Sequence, residues 1–322
     1  MPAARSTPPG SVCTTRTGLA WALLDAADAL ADEKLADRAV NLARQVPTSW
    51  ENPDIAHGLA GAGLTSLHFW RRTGDDGFAD RVRACADELA HRVTYDDGGP
   101  RWSIPATFDS RLAGVTHLGF AHGSAGIAYF LLVAGRYAGR SDWTELAVRT
   151  GRHLLTRRVS ENGAALWPST VDDPIDPMEH WCSGGSGIGT LLVRLWQATG
   201  ERSFLDVALD AATAVYRRRW HPAPVQCHGL AGNGEFLLDL ADATGNPSLR
   251  RWAEELAWIG YLRGASINGR LVLPDETMTG FGCEYGTGMS GFLGFLLRLR
   301  YRSSRQWMVD DPGPTDAMRH AA

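Results

Sequence analysis

Pro224-Val-Gln-Cys227-His228-Gly229-Leu-Ala-Gly232-Asn-Gly234-Glu-Phe-Leu-Leu-Asp-Leu240 sets two soft metal ligands side by side, just ahead of a glycine pair and an apolar run. Thiolate and neutral imidazole are the usual ligands of zinc. Neighbouring side chains diverge by about 100° on a helix and about 180° on a strand. Cys227 and His228 can therefore share one ion only from an irregular turn, which Gly229 permits. A buried structural cysteine beside a capping histidine explains that pair alone equally well. An earlier echo tips the balance: Trp181-Cys182-Ser-Gly184-Gly-Ser-Gly187-Ile-Gly189-Thr-Leu-Leu-Val-Arg-Leu195 places a third soft ligand at the same offset from its own glycine pair. Cys182, Cys227 and His228 together make a candidate three-ligand zinc site.

The glycine element recurs. A G-x-x-G followed by apolar residues at helical spacing occurs at Gly58/Gly61, Gly123/Gly126, Gly184/Gly187, Gly229/Gly232 and Gly288/Gly291, with a degenerate copy from Gly18. The helix after each pair is apolar on nearly all sides, as in Gly126-Ile-Ala-Tyr-Phe-Leu-Leu-Val133, whereas the stretch that follows is amphipathic. Inner and outer helices thus alternate. Outer helices are expected from Phe78 to Val93, Thr144 to Arg157 and Phe204 to Arg218, each preceded by a glycine that ends the inner helix and a Ser or Asp that caps the next. Copies lie 40 to 65 residues apart, room for two helices and their loops. The pattern predicts an all-α fold, an α/α toroid of helical hairpins with six recognisable repeats. In such a ring the glycine loops that start the inner helices gather at one mouth.

The chain has 322 residues, 44% of them hydrophobic, enough for one large core. With 32 Lys+Arg against 36 Asp+Glu and no long block of either sign, nothing supports nucleic-acid binding. Five scattered cysteines in no C-x-x-C pair (Cys13, Cys85, Cys182, Cys227, Cys283) argue against a disulfide scaffold and for a reducing, cytoplasmic setting. The apolar run Gly18 to Leu24 is too short to span a membrane and lacks a signal-peptide cleavage pattern. Residues 1–12 and 309–322, rich in Pro, Gly and small polar residues, are expected to be disordered around a toroid of residues 13–308.

If the loops converge, residues one to four places before each glycine pair share a cavity. Those places hold Asp54 and His57, His122, Cys182, and Cys227 with His228, while the last copy offers Gly286 and Thr287. Seen singly, His57 and His122 read as helix caps and Asp54 as a turn residue after Pro53. Reactive types at matching offsets in four successive copies favour a site. Cys85, on a helix face shared with Val82 and Leu89, reads as packing; Cys283 stands out of register.

Ala121-His122-Gly123, Trp181-Cys182-Ser183-Gly184, Cys227-His228-Gly229 and the repeated glycine pairs resemble the lanthionine synthetase C-like family, the cyclases of lanthipeptide biosynthesis, over about residues 15 to 300. The resemblance implies one zinc ion on Cys182, Cys227 and His228, an active-site histidine at His122 and an active-site aspartate at Asp54. The chain departs from the family in showing six repeats rather than seven, in Trp21 replacing the second glycine of the first copy, and in Met178, with His180 nearby, where some members carry a basic residue.

Three protein ligands leave a fourth position open, the catalytic arrangement of zinc. The implied activity is addition of a peptide cysteine to dehydroalanine or dehydrobutyrine, closing a thioether ring, with His122 protonating the α-carbon and Asp54 orienting or charging His122 or His57. The implied partners are a dehydrated precursor peptide and a separate or fused dehydratase of the kinase/lyase kind. A zinc-dependent transferase of glutathione or another thiol, and a peptide-binding scaffold with structural zinc, are the alternatives. A prenyltransferase-like toroid would use an aspartate ligand and a partner subunit. A carbohydrate-active toroid needs a carboxylate pair in the mouth, for which only Asp54, with Asp275 and Glu284 farther off, is on offer.

Overall fold

The computed structural model describes residues 16–96, 99–171 and 177–310. Helices pair along the chain: α1 (Arg16–Leu30) with α2 (Glu33–Arg44), α3 (Leu59–Thr73) with α4 (Asp76–His91), α5 (Ser124–Ala138) with α6 (Ser141–Thr156), α7 (Gly185–Thr199) with α8 (Arg202–Arg217), and α9 (Leu230–Thr244) with α10 (Pro247–Leu262). A last helix, α11 (Met289–Tyr301), stands without an outer partner among the described residues. The odd-numbered helices pack on one another in sequence order, α1 on α3 through to α9 on α11, as the inner ring.

Composition assigns each helix its place. Every residue of α5 from Ser124 to Gly135 is buried, so the helix must be covered on all sides. On α6 burial is confined to one side, through Trp143, Leu146, Ala147, Thr150, Gly151, His153 and Leu154, while Asp142, Glu145, Arg149 and Arg152 face water. Inner helices stop where expected, at Gly74, Gly139 and Gly200, and α9 stops likewise at Gly245, all left-handed. The caps of the outer helices are only partly as expected. Asp75 does cap α4, accepting from Gly77 N at 2.8 Å, but α6 and α8 begin after Arg140 and Glu201 with no side-chain cap, and Ser141 and Ser203 fall inside the first turn. Threonines at the ends of the inner helices brace the connections instead. Thr199 Oγ1 accepts from Glu201 N at 3.1 Å, and Thr73 Oγ1 from Asp75 N at 3.2 Å.

Both glycines of a pair are required by close backbone approach. Each loop doubles back over the helix it starts, so that its carbonyls accept the first helical N–H groups, Gly185 to Met178 O at 2.9 Å and Ser186 to Glu179 O at 3.0 Å. A Cβ at Gly184 would run into the Met178 carbonyl oxygen, and one at Gly187 into that of Trp181. Third glycines one turn on, at Gly63, Gly189 and Gly234, receive the rings of Phe130, Phe236 and Phe295 from the next inner helix.

Three antiparallel hairpins are additions that the helical reading does not contain: β1 (Thr94–Asp96) with β2 (Gly99–Arg101), β3 (Val159–Glu161) with β4 (Ala164–Leu166), and β5 (Ala265–Ile267) with β6 (Arg270–Val272). Each follows an outer helix.

The ring's centre is filled by residues 302–310, which return through it. Arg305 bonds Thr190 Oγ1 at 3.0 Å and Asp239 Oδ2 at 2.7 Å, the Tyr129 hydroxyl donates to Val309 O at 2.8 Å, and Asp310 pairs with Arg194 at 2.8 Å. Buried Val309 and ion-paired Asp310 thus belong to the packed body, a correction to a tail beginning at residue 309. The other terminal expectations, residues 1–15 with Cys13 and residues 311–322, lie outside the described residues. No helix among the described residues is long and apolar enough to cross a membrane.

Candidate metal centre

The inner-helix loops are laced to one another around the mouth by a chain of backbone hydrogen bonds. Ala56 N–H donates to Ala121 O at 2.9 Å, Ala121 N–H to Cys182 O at 2.9 Å, Cys182 N–H to Cys227 O at 3.0 Å, and Cys227 N–H to Gly286 O at 2.8 Å. Every residue in this chain stands two places before the first glycine of its copy. Equal offsets in sequence therefore become equal depths in the mouth.

The lacing brings Cys182, Cys227 and His228 together, their donor atoms all within 4.8 Å of one another. Tetrahedral zinc, with Zn–S near 2.3 Å and Zn–N near 2.0–2.1 Å, needs donor atoms about 3.5–4 Å apart, within reach of small side-chain rotations here. Two sulfurs and an imidazole suit zinc chemically. Cys227 and His228 hydrogen-bond to the Cys182 sulfur, with Ser183 Oγ at 3.6 Å, and outweigh burial to hold the thiol well below its usual range. That sulfur in turn raises the His228 imidazole against its burial, helped by the Glu276 carboxylate, whose Oε2 lies 3.1 Å from His228 Nε2.

Beside the donors stands a built acid pair. The Asp54 carboxylate is wholly buried and receives His122 Nδ1–H at 2.9 Å, the His57 main-chain N–H at 2.6 Å and Asn52 Nδ2–H at 3.0 Å. Burial alone would lower the His122 imidazole; the hydrogen bond and charge of Asp54, with the Cys182 thiolate, overcome it and raise it. His57 contributes to Asp54 through its backbone only, its ring stacking on His122 at a centroid distance of 5.3 Å and being kept below its ordinary value by burial. His180 lies 6.1 Å, ring to ring, from His228.

Asn52, His117 and Glu276 are the neighbours that reading by register misses. Asn52 locks Asp54 from both sides, since its Oδ1 also accepts from Asp54 N at 2.9 Å. It sits six residues before Gly58, as His117 does before Gly123, and His117 lies 6.0 Å from the His122 ring. Glu276 arrives from the long loop between β6 and α11, far upstream of Gly288, where its N–H donates to Thr287 O at 3.1 Å. Cys85 is fully buried on α4 with its thiol pushed up to about 12 by burial, a packing residue, and exposed Cys283 stays outside the donor cluster.

The model of the lanthionine synthetase C-like protein family matches residues 6–309. The chain belongs to the lanthionine synthetase C-like family. This lanthionine synthetase C-like chain is 29% identical over 287 residues to the Probable SapB synthase of Streptomyces coelicolor, covering 86% of this chain and 28% of that protein. It is 29% identical over 132 residues to Glutathione S-transferase LANCL1 of Danio rerio, covering 41% of this chain and 32% of that one. The chain spans about a third or less of the length of these relatives. Among solved structures, Nisin cyclase matches with a TM-score of 0.69 at 16% identity, over 98% of this chain and 81% of that one. An unsaturated glucuronyl hydrolase from Bacillus sp. GL1 matches with a TM-score of 0.63 at 16% identity, over 93% of both. These two likenesses show a shared toroid.

Proposed function

We propose that the protein is a zinc-dependent cyclase that closes thioether rings in a dehydrated peptide. The observation that carries this reading is the convergence of Cys182, Cys227 and His228 beside the Asp54–His122 pair in one mouth. Zinc held by these three residues would supply a Lewis acid with one free position, at which a thiol loses its proton near neutral pH. Cys182 and Cys227, as thiolates, donate electron density that keeps an incoming thiolate nucleophilic. The peptide sulfur adds to the β-carbon of dehydroalanine or dehydrobutyrine, the double bond's electron pair moves to the α-carbon and its carbonyl, and a proton must arrive at the α-carbon. His122 gives it: Asp54 holds Nδ1–H, leaving Nε2 to transfer the proton, and the hydrogen bond and charge of Asp54 favour the protonated imidazole. One S–H and one C=C are exchanged for one C–S and one C–H, so the peptide's mass does not change. Among the carboxylates considered for sugar chemistry, Asp54 is committed to His122, while Asp275 is bound by Thr277 Oγ1 at 2.6 Å. That arrangement favours thiol chemistry over glycoside hydrolysis.

The test is incubation of the zinc-loaded protein with dehydrated cysteine-containing peptides, with glutathione present as a competitor. Loss of free thiol without a change in peptide mass supports the cyclase. The name of the Danio rerio relative gives a second reading, transfer of a small thiol, for which a mass gain of one glutathione is the mark. Peptides unaltered in both respects would leave a peptide-binding scaffold as the better account.

A further inference from the structure

Large apolar side chains left in water are distributed unevenly around the ring. Along the arc from α2 to α9, residues 33–244, the exposed ones among the described residues are Tyr95, Val159 and Trp220. Helices α1, α10 and α11 carry eight, and the β5–β6 hairpin with the loop after it four more, Ile267, Leu271, Met278 and Phe281. Helix α11 presents Leu293, Leu297 and Tyr301, four residues apart and so on one stripe. Its other sides are occupied, by Phe292 against Gly260 of α10 and Phe295 against Gly234 of α9. Helix α1 presents Leu19 and Leu30, three turns apart on a stripe passing through Ala22 and Ala26. Trp258, Tyr261 and Leu262 extend the surface onto α10, which packs against α11.

The cause is a seam. Successive inner helices pack directly from α1 to α11, but α1 and α11 are not themselves a packed pair. From inside, Trp307 spans the gap, its ring 5.6 Å from that of Trp21 and 5.7 Å from that of Tyr285. From outside, α11 lacks the second helix that every other inner helix has among the described residues.

We propose that this seam is the interface of a homodimer, in which α11 of one protomer docks against α1 of its partner about a two-fold axis parallel to the ring axis. The eight side chains are 43–71% exposed. At roughly 150–250 Å² for a whole side chain of this size, they offer on the order of 900 Å² per protomer, against about 800 Å² in a standard interface. Charge agrees with this orientation. Exposed Asp28, which pairs with Arg72, and Asp32, which caps α2, mark the end of α1, and exposed Arg300 and Arg302 the end of α11. Both helices start at the mouth, so a parallel two-fold axis sets the acidic end of one beside the basic end of the other, twice over. Both mouths then open on the same side, free for substrate.

Sedimentation velocity across about 1 to 100 µM protein tests this. The expected species has twice the 34.9 kDa mass of the chain. Leu297→Glu and Leu30→Glu should each raise the dimer dissociation constant at least about tenfold. Leu30 is 71% exposed and Leu297 43%, so helicity and zinc content should be unchanged. A chain that stays monomeric over the whole range overturns the proposal, and so does a dimer that neither substitution weakens.

Discussion

At the residue scale the site rests on a division of labour between Asp54 and the groups around it. Three N–H groups converge on its carboxylate, and one of them belongs to the imidazole that we assign as proton donor. His122→Asn should keep zinc while slowing ring closure by about 10²-fold or more, the usual loss for a general acid, as read by single-turnover thiol consumption. The pH dependence has a definite sign. His122 is raised in the folded protein, so its acid form persists above the usual histidine value near 6.5, and the rate should fall only as pH rises through the higher value. Asp54→Asn removes the carboxylate that raises it and should move this alkaline limb to lower pH; an unmoved limb would assign the proton to another group. By linkage, the stability contributed by the pair is fully present below the unfolded value and is lost as pH rises through the folded one. Cys182, Cys227, His228, His122 and Asp54 were legible because each stands within four residues of a glycine that fixes its depth. Asn52 and Glu276 were not. One lies just beyond that window, and the other stands far outside it, early in the long loop that leads from β6 to Gly288.

At the element scale the glycine pairs determine where the loops lie. A Cβ at Gly187 meets the backbone carbonyl of Trp181, the neighbour of Cys182, whereas a Cβ at Gly189 meets the ring of Phe236. Backbone cannot step aside as a side chain can. Both Gly187→Ala and Gly189→Ala should destabilise by about 1–3 kcal/mol through overpacking, as read from urea midpoints. Only Gly187→Ala should also weaken zinc binding, by about tenfold or more in chelator competition; equal zinc affinities would mean that the loop is not set by this contact. The alternation of inner and outer helices could be read from sequence because all-round and one-sided burial leave different apolar patterns. Strands of three residues leave no pattern to measure, so a periodicity reading passes over the hairpins. A local signal was nonetheless present: Asn162-Gly163 and Asn268-Gly269 occupy their turns with positive φ at both positions, 51° and 76° in one and 51° and 75° in the other. The helix caps misled for a different reason, since Ser141 and Ser203 have good capping chemistry but stand inside the first turn of their helices.

At the scale of the whole molecule, the ring is held open at the mouth and tied shut at its centre. Asp239 of α9 pairs with Arg194 of α7 at 2.9 Å, Arg298 of α11 at 2.8 Å and Arg305 of the returning segment at 2.7 Å, all buried. Against its burial, these guanidinium groups hold the Asp239 carboxyl far below the usual range. Asp239→Ala leaves Arg194 with Asp310 and Arg298 with Glu235 and Asp242, but Arg305 with Glu235 only at 3.9 Å, and should cost about 3–5 kcal/mol, seen as a large drop in the urea midpoint. A loss under about 1 kcal/mol would show that water reaches the cluster. None of this network could be read from sequence, because Arg305 meets Asp239 across 66 residues, through a segment with neither repeat nor period. The central claim is that the mouth holds zinc on two sulfurs and one nitrogen with room for a substrate thiol. Zinc-edge X-ray absorption tests it most directly. Two sulfur neighbours near 2.3 Å are expected in the purified protein, and three after addition of a cysteine peptide. A shell of nitrogen and oxygen alone, or a sulfur count that the peptide leaves at two, would contradict it.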